Sequence, residues 1–122
     1  MEEINKILVV DDDEQLREIL VSELTEQGYD IREASSGYEA IPLAYGIAFK
    51  LIILDLKMPY IDGFDFLKFS KRTFPKTKVI VLTAYADLTN IQKCKDLGAD
   101  EVIGKPYEMG YLLYNIEAAL KE

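Results

Sequence analysis

Five residues of this 122-residue chain have types and settings that could do chemistry together: Asp11, Asp12, Asp55, Thr83 and Lys105. In the stretch KILVVDDDEQL, residues 6–16, four aliphatic side chains run into four carboxylates, Asp11, Asp12, Asp13 and Glu14. Carboxylates about 4 Å apart repel by roughly 4 kcal/mol at an effective dielectric of about 20, so a folded chain that gathers them implies a compensating cation. The chain contains no histidine, which removes imidazole as base, metal ligand or phosphate carrier. Three carboxylates, Asp11, Asp12 and Asp55, would form an all-oxygen site, which suits Mg²⁺ or Mn²⁺ rather than zinc. A carboxylate can also accept a phosphoryl group as a nucleophile. A lysine such as Lys105 would then supply fixed positive charge, and a hydroxyl such as that of Thr83 could contact a phosphoryl oxygen. An Asp after a strand is by itself most often a turn or helix cap. The joint placement of the five carries the argument.

That placement depends on the elements that hold them. Five β-rich runs stand out: KILVV (6–10), DIREA (30–34), LIILD (51–55), KVIVLT (78–83) and EVIG (101–104). The first, third and fourth are almost continuously apolar, the pattern of parallel strands covered on both faces. Helical spacing fills the gaps. Leu16, Ile19, Leu20 and Leu24 share a stripe that stops at Gly28; Leu88, Ile91, Cys94 and Leu97 do so before Gly98; Leu112, Leu113, Ile116 and Leu120 mark a last helix. Ser36 can cap a helix over about 37–46, and a shorter one is predicted over about 64–72. Strand and helix alternate five times, which predicts one α/β domain over residues 1–122. Its architecture would be a doubly wound (βα)5, five-stranded parallel sheet of flavodoxin-like order 2-1-3-4-5. In such a sheet ligands bind beyond the carboxyl ends of the strands, where the acidic run, Asp55, Thr83 and Lys105 all fall.

Composition narrows the function. A formal charge of −8 argues against direct nucleic-acid binding, which needs clustered Lys and Arg. No apolar run approaches the roughly 20 residues that span a bilayer, and MEEINK has no signal-peptide character. A single cysteine, Cys94, fits a reducing cytoplasm and reads as a packing residue rather than a reactive thiol.

The segments VVDDDEQLREIL, LIILDLKMPYIDG, VIVLTA and LGADEVIGKP, in that order and spacing, resemble the receiver domain of a two-component response regulator, over essentially the whole chain. The resemblance implies that Asp55 is the phosphoacceptor. It implies that Asp12 binds Mg²⁺ directly, Asp11 directly or through water, and that the backbone carbonyl of Lys57 completes the protein ligands. Thr83 and Lys105 would contact the phosphoryl group, Lys105–Pro106 would be a cis peptide, and Asp13 and Glu14 would be acids of a helix's first turn, favoured by its dipole. The implied donor is a phosphohistidine on a sensor histidine kinase or histidine phosphotransferase, docking near the first helix, around Gln15, and the loop that holds Tyr107. The implied output is a downstream effector protein or an attached output domain. The domain would be a monomer or a weak phosphorylation-dependent dimer. By their spacing alone, Tyr111, Tyr114 and Ala118 form an i, i+3, i+7 stripe on the last helix that reads equally as a dimer or effector contact and as a solvated face.

Several positions qualify the resemblance. Val102 stands three residues before the lysine, where the family often carries an aromatic that reports phosphorylation; Tyr107 lies near but at a different offset. Pro42 falls inside the expected second helix and should kink or shorten it. The following Ile47, Ala48 and Phe49 are unusually apolar for a loop and read as local packing rather than as a partner site. Lys57 and Tyr85, each two residues after a site residue, resemble single-domain sporulation-phosphorelay regulators and are expected to shield the acyl phosphate from water.

Three other readings fit less well. A haloacid-dehalogenase-type phosphatase would use Asp11 and Asp13, but it wants Thr or Val where Gln15 stands, and it needs room for a cap domain. A flavin carrier on the same fold would find its phosphate repelled by the acidic run. A receiver that works without phosphorylation would more commonly lack one of the acids or the lysine, all of which are present. The domain could equally be part of a longer transcriptional regulator.

Overall fold

The computed structural model describes residues 4–122; the reading of the first three residues lies outside them. Five strands and five helices alternate: β1 (Lys6–Val10), α1 (Glu14–Glu26), β2 (Asp30–Ala34), α2 (Gly37–Gly46), β3 (Leu51–Leu54), α3 (Gly63–Thr73), β4 (Lys78–Thr83), α4 (Leu88–Asp96), β5 (Glu101–Gly104) and α5 (Met109–Lys121). All strand pairs are parallel, and the order is β2-β1-β3-β4-β5. This is the doubly wound sheet that the alternating pattern predicts. Among the described residues no helix is long and apolar enough to cross a membrane.

The continuous apolar runs have a direct consequence. Every residue of β3, and Ile7 to Val10 of β1, is buried, and alternate side chains feed two cores. Leu8, Val10, Ile52, Leu54, Val79 and Val81 face one core with Phe66, Leu67 and Cys94. Ile7, Val9, Ile53, Ile80 and Leu82 face the other with Leu20, Leu24, Leu112 and Ile116. Helices on both faces cover the apolar residues of β1, β3 and β4, which is why these runs need no polar alternation.

Two helix faces differ from their predicted stripes. In α1 only Leu20 and Leu24 are buried, whereas Leu16 is 37% and Ile19 56% exposed. Burying a leucine contributes about 1.5–3 kcal/mol, so the pair at i and i+4 suffices to seat the helix. Leu16 stands in the first turn beside the polar Asp11–Asp13 loop, where little apolar surface is at hand. In α4 Cys94 is buried, but Leu88, the first residue, is 86% exposed.

Pro42 does not shorten α2, which runs through it to Gly46, as the Ser36 cap predicts. Ser36 accepts from the Glu39 amide, and Glu39 reaches back to the Ser35 amide and hydroxyl, so the amino end is firmly closed. Gly28 and Gly98 follow α1 and α4 with φ of 94° and 101°, the left-handed geometry that ends a helix.

Candidate functional site

The carboxyl ends of β1, β3, β4 and β5 converge on one edge of the sheet. Asp11 follows β1, Asp55 follows β3 (which ends at Leu54, one residue short of the predicted strand), Thr83 ends β4, and Lys105 follows β5. Asp11 and Asp55 are each hydrogen-bonded to the adjoining strand, Asp11 N to Ala34 O at 3.1 Å and Asp55 N to Val10 O at 3.0 Å. The sheet ladder thus continues one residue past the strands and fixes the two backbones carrying the acids.

Their side chains meet. Ligand oxygens of Asp11, Asp12 and Asp55 lie within 4.8 Å of one another; Asp11 and Asp55 are buried and Asp12 is exposed. Lys105 donates from Nζ to Asp11 Oδ2 at 2.7 Å and to Asp55 Oδ2 at 3.1 Å. The cation required to offset the gathered carboxylates is therefore partly internal. Asp11 Oδ1 accepts from the Asp13 amide at 2.9 Å, and Asp55 Oδ1 from the Lys57 amide at 3.3 Å.

Burial dominates the titration of Asp11, pushing its carboxyl above the usual range; hydrogen bonds from Lys105 and the Asp13 amide pull back only partly. Burial also works against the charge on Lys105, but hydrogen bonding and attraction from Asp11 and Asp55 outweigh it and hold the ammonium above its ordinary value. Both values rise, with opposite effects on charge: the shift favours the neutral acid at Asp11, which shares one lysine with a second acid, and the charged ammonium at Lys105, which has two carboxylate partners. Lys105 accordingly stays charged at neutral pH.

The remaining site residues are held by local structure. Asp13 is the N-cap of α1, accepting from the Leu16 amide at 3.1 Å, so it stands just before the first turn, and Glu14 is the acid within it. Thr83 is fully buried, and its Oγ1 accepts from the Tyr85 amide at 3.1 Å. The Lys105–Pro106 peptide is cis, in keeping with the resemblance. The loop carrying Lys57 closes at Gly63, whose amide donates to Leu56 O at 3.0 Å. A Cβ on Gly63 would lie 2.4 Å from the Leu56 Cα and carbonyl oxygen, which gives the Asp-Gly of the motif a steric cause.

Three features were not read from the sequence. Arg17 donates to the Asp11 carbonyl at 2.8 Å and pairs with Glu33 at 2.9 Å, tying the acidic loop to β2. Its signal would have been a lone basic residue in a helix opening on acids. Asn90 donates to the Tyr85 carbonyl at 2.9 Å, holding the loop after β4. Lys57, expected with Tyr85 to shield the acyl phosphate, donates to the Tyr85 hydroxyl at 3.2 Å, a link between the two that the sequence did not show. Of the other positions singled out, Val102 and Tyr107 are partly buried against the two cores, while Gln15, Tyr111, Tyr114 and Ala118 are exposed.

Comparison with known proteins agrees with this geometry. Residues 7–117 match the family model of the response regulator receiver domain, and the chain belongs to that family. The transcriptional regulatory protein SrrA of Staphylococcus aureus is 35% identical over 117 residues, covering 96% of this chain and 48% of SrrA. The uncharacterized transcriptional regulatory protein YkoG of Bacillus subtilis is 33% identical over 116 residues, covering 95% of this chain and 51% of YkoG. The chain thus spans about half the length of these curated relatives. Among solved structures, a CheY-like receiver domain protein from Methanospirillum hungatei superposes with a TM-score of 0.93 at 30% identity, covering 98% of this chain and 95% of the other.

Proposed function

We propose that this protein is a phosphorylation switch in which Asp55 accepts a phosphoryl group from a phosphohistidine of a sensor histidine kinase or histidine phosphotransferase. The observation that carries the reading is the bridge from Lys105 Nζ to Asp11 and Asp55 within the three-carboxylate cluster. A structural ion pair needs one acid; a lysine shared by two buried acids beside a third is suited to a ligand that brings both positive and negative charge.

The donor set fits a hard divalent cation, because it offers oxygen only and its ligand atoms lie within 4.8 Å of one another. Asp11, Asp12, Asp55 and the Lys57 carbonyl would hold Mg²⁺, with Mn²⁺ as a substitute. When bound, the ion would neutralise charge on the transferring group. Asp55 Oδ attacks phosphorus in line, the P–N bond to the imidazole breaks, and an acyl phosphate forms on Asp55 as the donor histidine leaves with its electron pair. Lys105, freed from the Asp55 oxygen that has become esterified, pairs with a phosphoryl oxygen. Thr83, whose Oγ1 accepts from the Tyr85 amide, donates its hydroxyl to a phosphoryl oxygen and is drawn toward it, which shifts the loop after β4 and the adjoining surface. The domain acts only on its own aspartate and turns over no separate substrate.

We read residues 1–122 as one receiver domain working in the cytoplasm, either alone on an effector protein or within a longer regulator like its relatives. Its exposed Tyr111 and Tyr114 would serve a weak phosphorylation-dependent dimer or an effector contact. The test is stoichiometric labelling by acetyl phosphate that requires Mg²⁺ and is abolished in Asp55→Ala. Equal labelling of that variant removes the assignment.

A further inference from the structure

The apolar segment after Pro42 is only half accounted for by packing. Phe49 is buried, and Ile47 packs against the core, but Tyr45 is 65% exposed and Ala48 and Pro75 also face solvent. Together with Phe74 they line a groove of about 730 Å³ at the amino ends of β3 and β4, opposite the edge that carries Asp55. Its walls are fixed. Thr77 Oγ1 donates to the Phe49 carbonyl at 3.0 Å, and the Lys78 amide donates to Lys50 O at 3.0 Å. Tyr45 stands edge-on to Phe69 and Phe74, at centroid distances of 5.9 and 5.4 Å. A preformed aromatic wall loses little conformational freedom when covered.

The charge at the groove departs from that of the chain. The protein carries 22 acidic against 14 basic residues, yet among the described residues those lining the groove include Lys50 and Lys76 and no carboxylate. An apolar floor between two lysines selects an apolar anchor flanked by acids. A symmetric pair of copies would set the same lysines against each other, so a second copy is the poorer occupant.

We propose that this groove docks an acidic amphipathic peptide segment of a partner protein, with a leucine or phenylalanine seated against Tyr45 and Phe74 and carboxylates paired with Lys50 and Lys76. Docking there leaves the phosphorylation edge open, so partner attachment and phosphoryl transfer proceed at opposite ends of the sheet.

The probe is a fluorescein-labelled peptide with Leu and Phe flanked by Asp and Glu, followed by fluorescence polarisation. Saturable binding with a Kd on the order of 100 µM is expected, lost when the acids of the peptide are replaced by lysines. Lys50→Glu with Lys76→Glu, or Tyr45→Ala alone, should weaken it at least about tenfold. Lys50 and Lys76 are exposed, so their double variant should melt like the wild type; Tyr45→Ala gives up its contacts with Phe69 and Phe74 and should melt slightly lower, with a single cooperative transition and unchanged acetyl phosphate labelling verifying that it is folded. In the wild type, the amide resonances of Ala48 and Thr77 should shift on titration. Absence of saturation, equal binding of the lysine peptide, or wild-type affinity in the variants would each overturn the proposal. So would a concentration-dependent dimer in sedimentation that is lost in the double lysine variant, because a second copy would then fill the groove.

Discussion

Lys57 and Tyr85, 28 residues apart in the chain, are joined by a hydrogen bond of 3.2 Å from Nζ to the phenolic oxygen. The same ammonium lies 5.5 Å from the Tyr85 ring centroid. The bond raises the lysine above its ordinary pKa, so the bridge is cationic at neutral pH. It links the loop after Asp55 to the loop after Thr83, beside the proposed phosphoacceptor. Replacing both residues with alanine should shorten the half-life of the proposed acyl phosphate about three- to tenfold. Loss of radiolabel from the phosphorylated variant measures it, and an unchanged half-life sinks the shielding role.

Asp12 is the exposed member of the carboxylate cluster and has no bond to Lys105. Its removal should therefore leave the internal ion pairs intact and take one ligand from the proposed Mg²⁺. Since even outer-shell partners of a metal ligand cost about 10–100-fold in affinity, Asp12→Ala should weaken Mg²⁺ binding by at least that much. Titration calorimetry against the wild type decides; equal affinities would mean that Asp12 is not a ligand.

The loop closure at Gly63 makes a prediction about stability. Alanine there would place Cβ 2.4 Å from backbone atoms of Leu56, which cannot move without dragging the chain toward Asp55. Gly63→Ala should cost about 3 kcal/mol or more, by urea unfolding, and should depress phosphorylation as well. A variant of wild-type stability would show that the loop tolerates a shift.

How far these relations were legible depends on their range along the chain. Asp11, Asp55, Thr83 and Lys105 could be placed at one edge because each terminates an apolar run, and parallel runs end on the same side. The stripe of α1 was misjudged at Ile19 because periodicity identifies a helix without saying which of its faces meets the sheet. The Lys57–Tyr85 bridge and the clasp from Arg17 to Glu33 join polar groups far apart in the chain, and nothing in local pattern pairs such residues. Pro42 looked disruptive from its own chemistry, yet its helix is anchored beforehand by Ser36 and Glu39 and continues one turn beyond it.

Cys94 is fully buried among the residues facing α3, and burial pushes its thiol above the ordinary value, with Lys93 pulling only weakly the other way. A protonated, enclosed thiol is a poor nucleophile. The native protein should fail to react with a disulfide reagent over a period in which the urea-unfolded protein reacts fully. Cys94→Ser should cost about 1–3 kcal/mol by burying a hydroxyl among apolar side chains. Rapid modification of the native state would contradict this placement.

The amino end of α2 should register pH. Glu39 Oε1 accepts from the Ser35 amide at 2.7 Å and from the Ser35 hydroxyl at 2.8 Å. The amide bond, then the hydroxyl bond, holds its carboxyl below the ordinary value of 4.5. Because the folded state favours the ionised form, Glu39 adds stability above the unfolded-state pKa, and that contribution falls away as pH drops through the lower folded-state value. The side chain is almost wholly exposed, so solvent screening keeps the effect small. Glu39→Gln should therefore melt slightly below the wild type at pH 7, with the two melting temperatures converging as the pH falls below 4.5 through the folded-state pKa. Paired thermal melts across that range test it. A difference that persists unchanged at the acid end would assign the loss to geometry at the cap rather than to the carboxylate's charge.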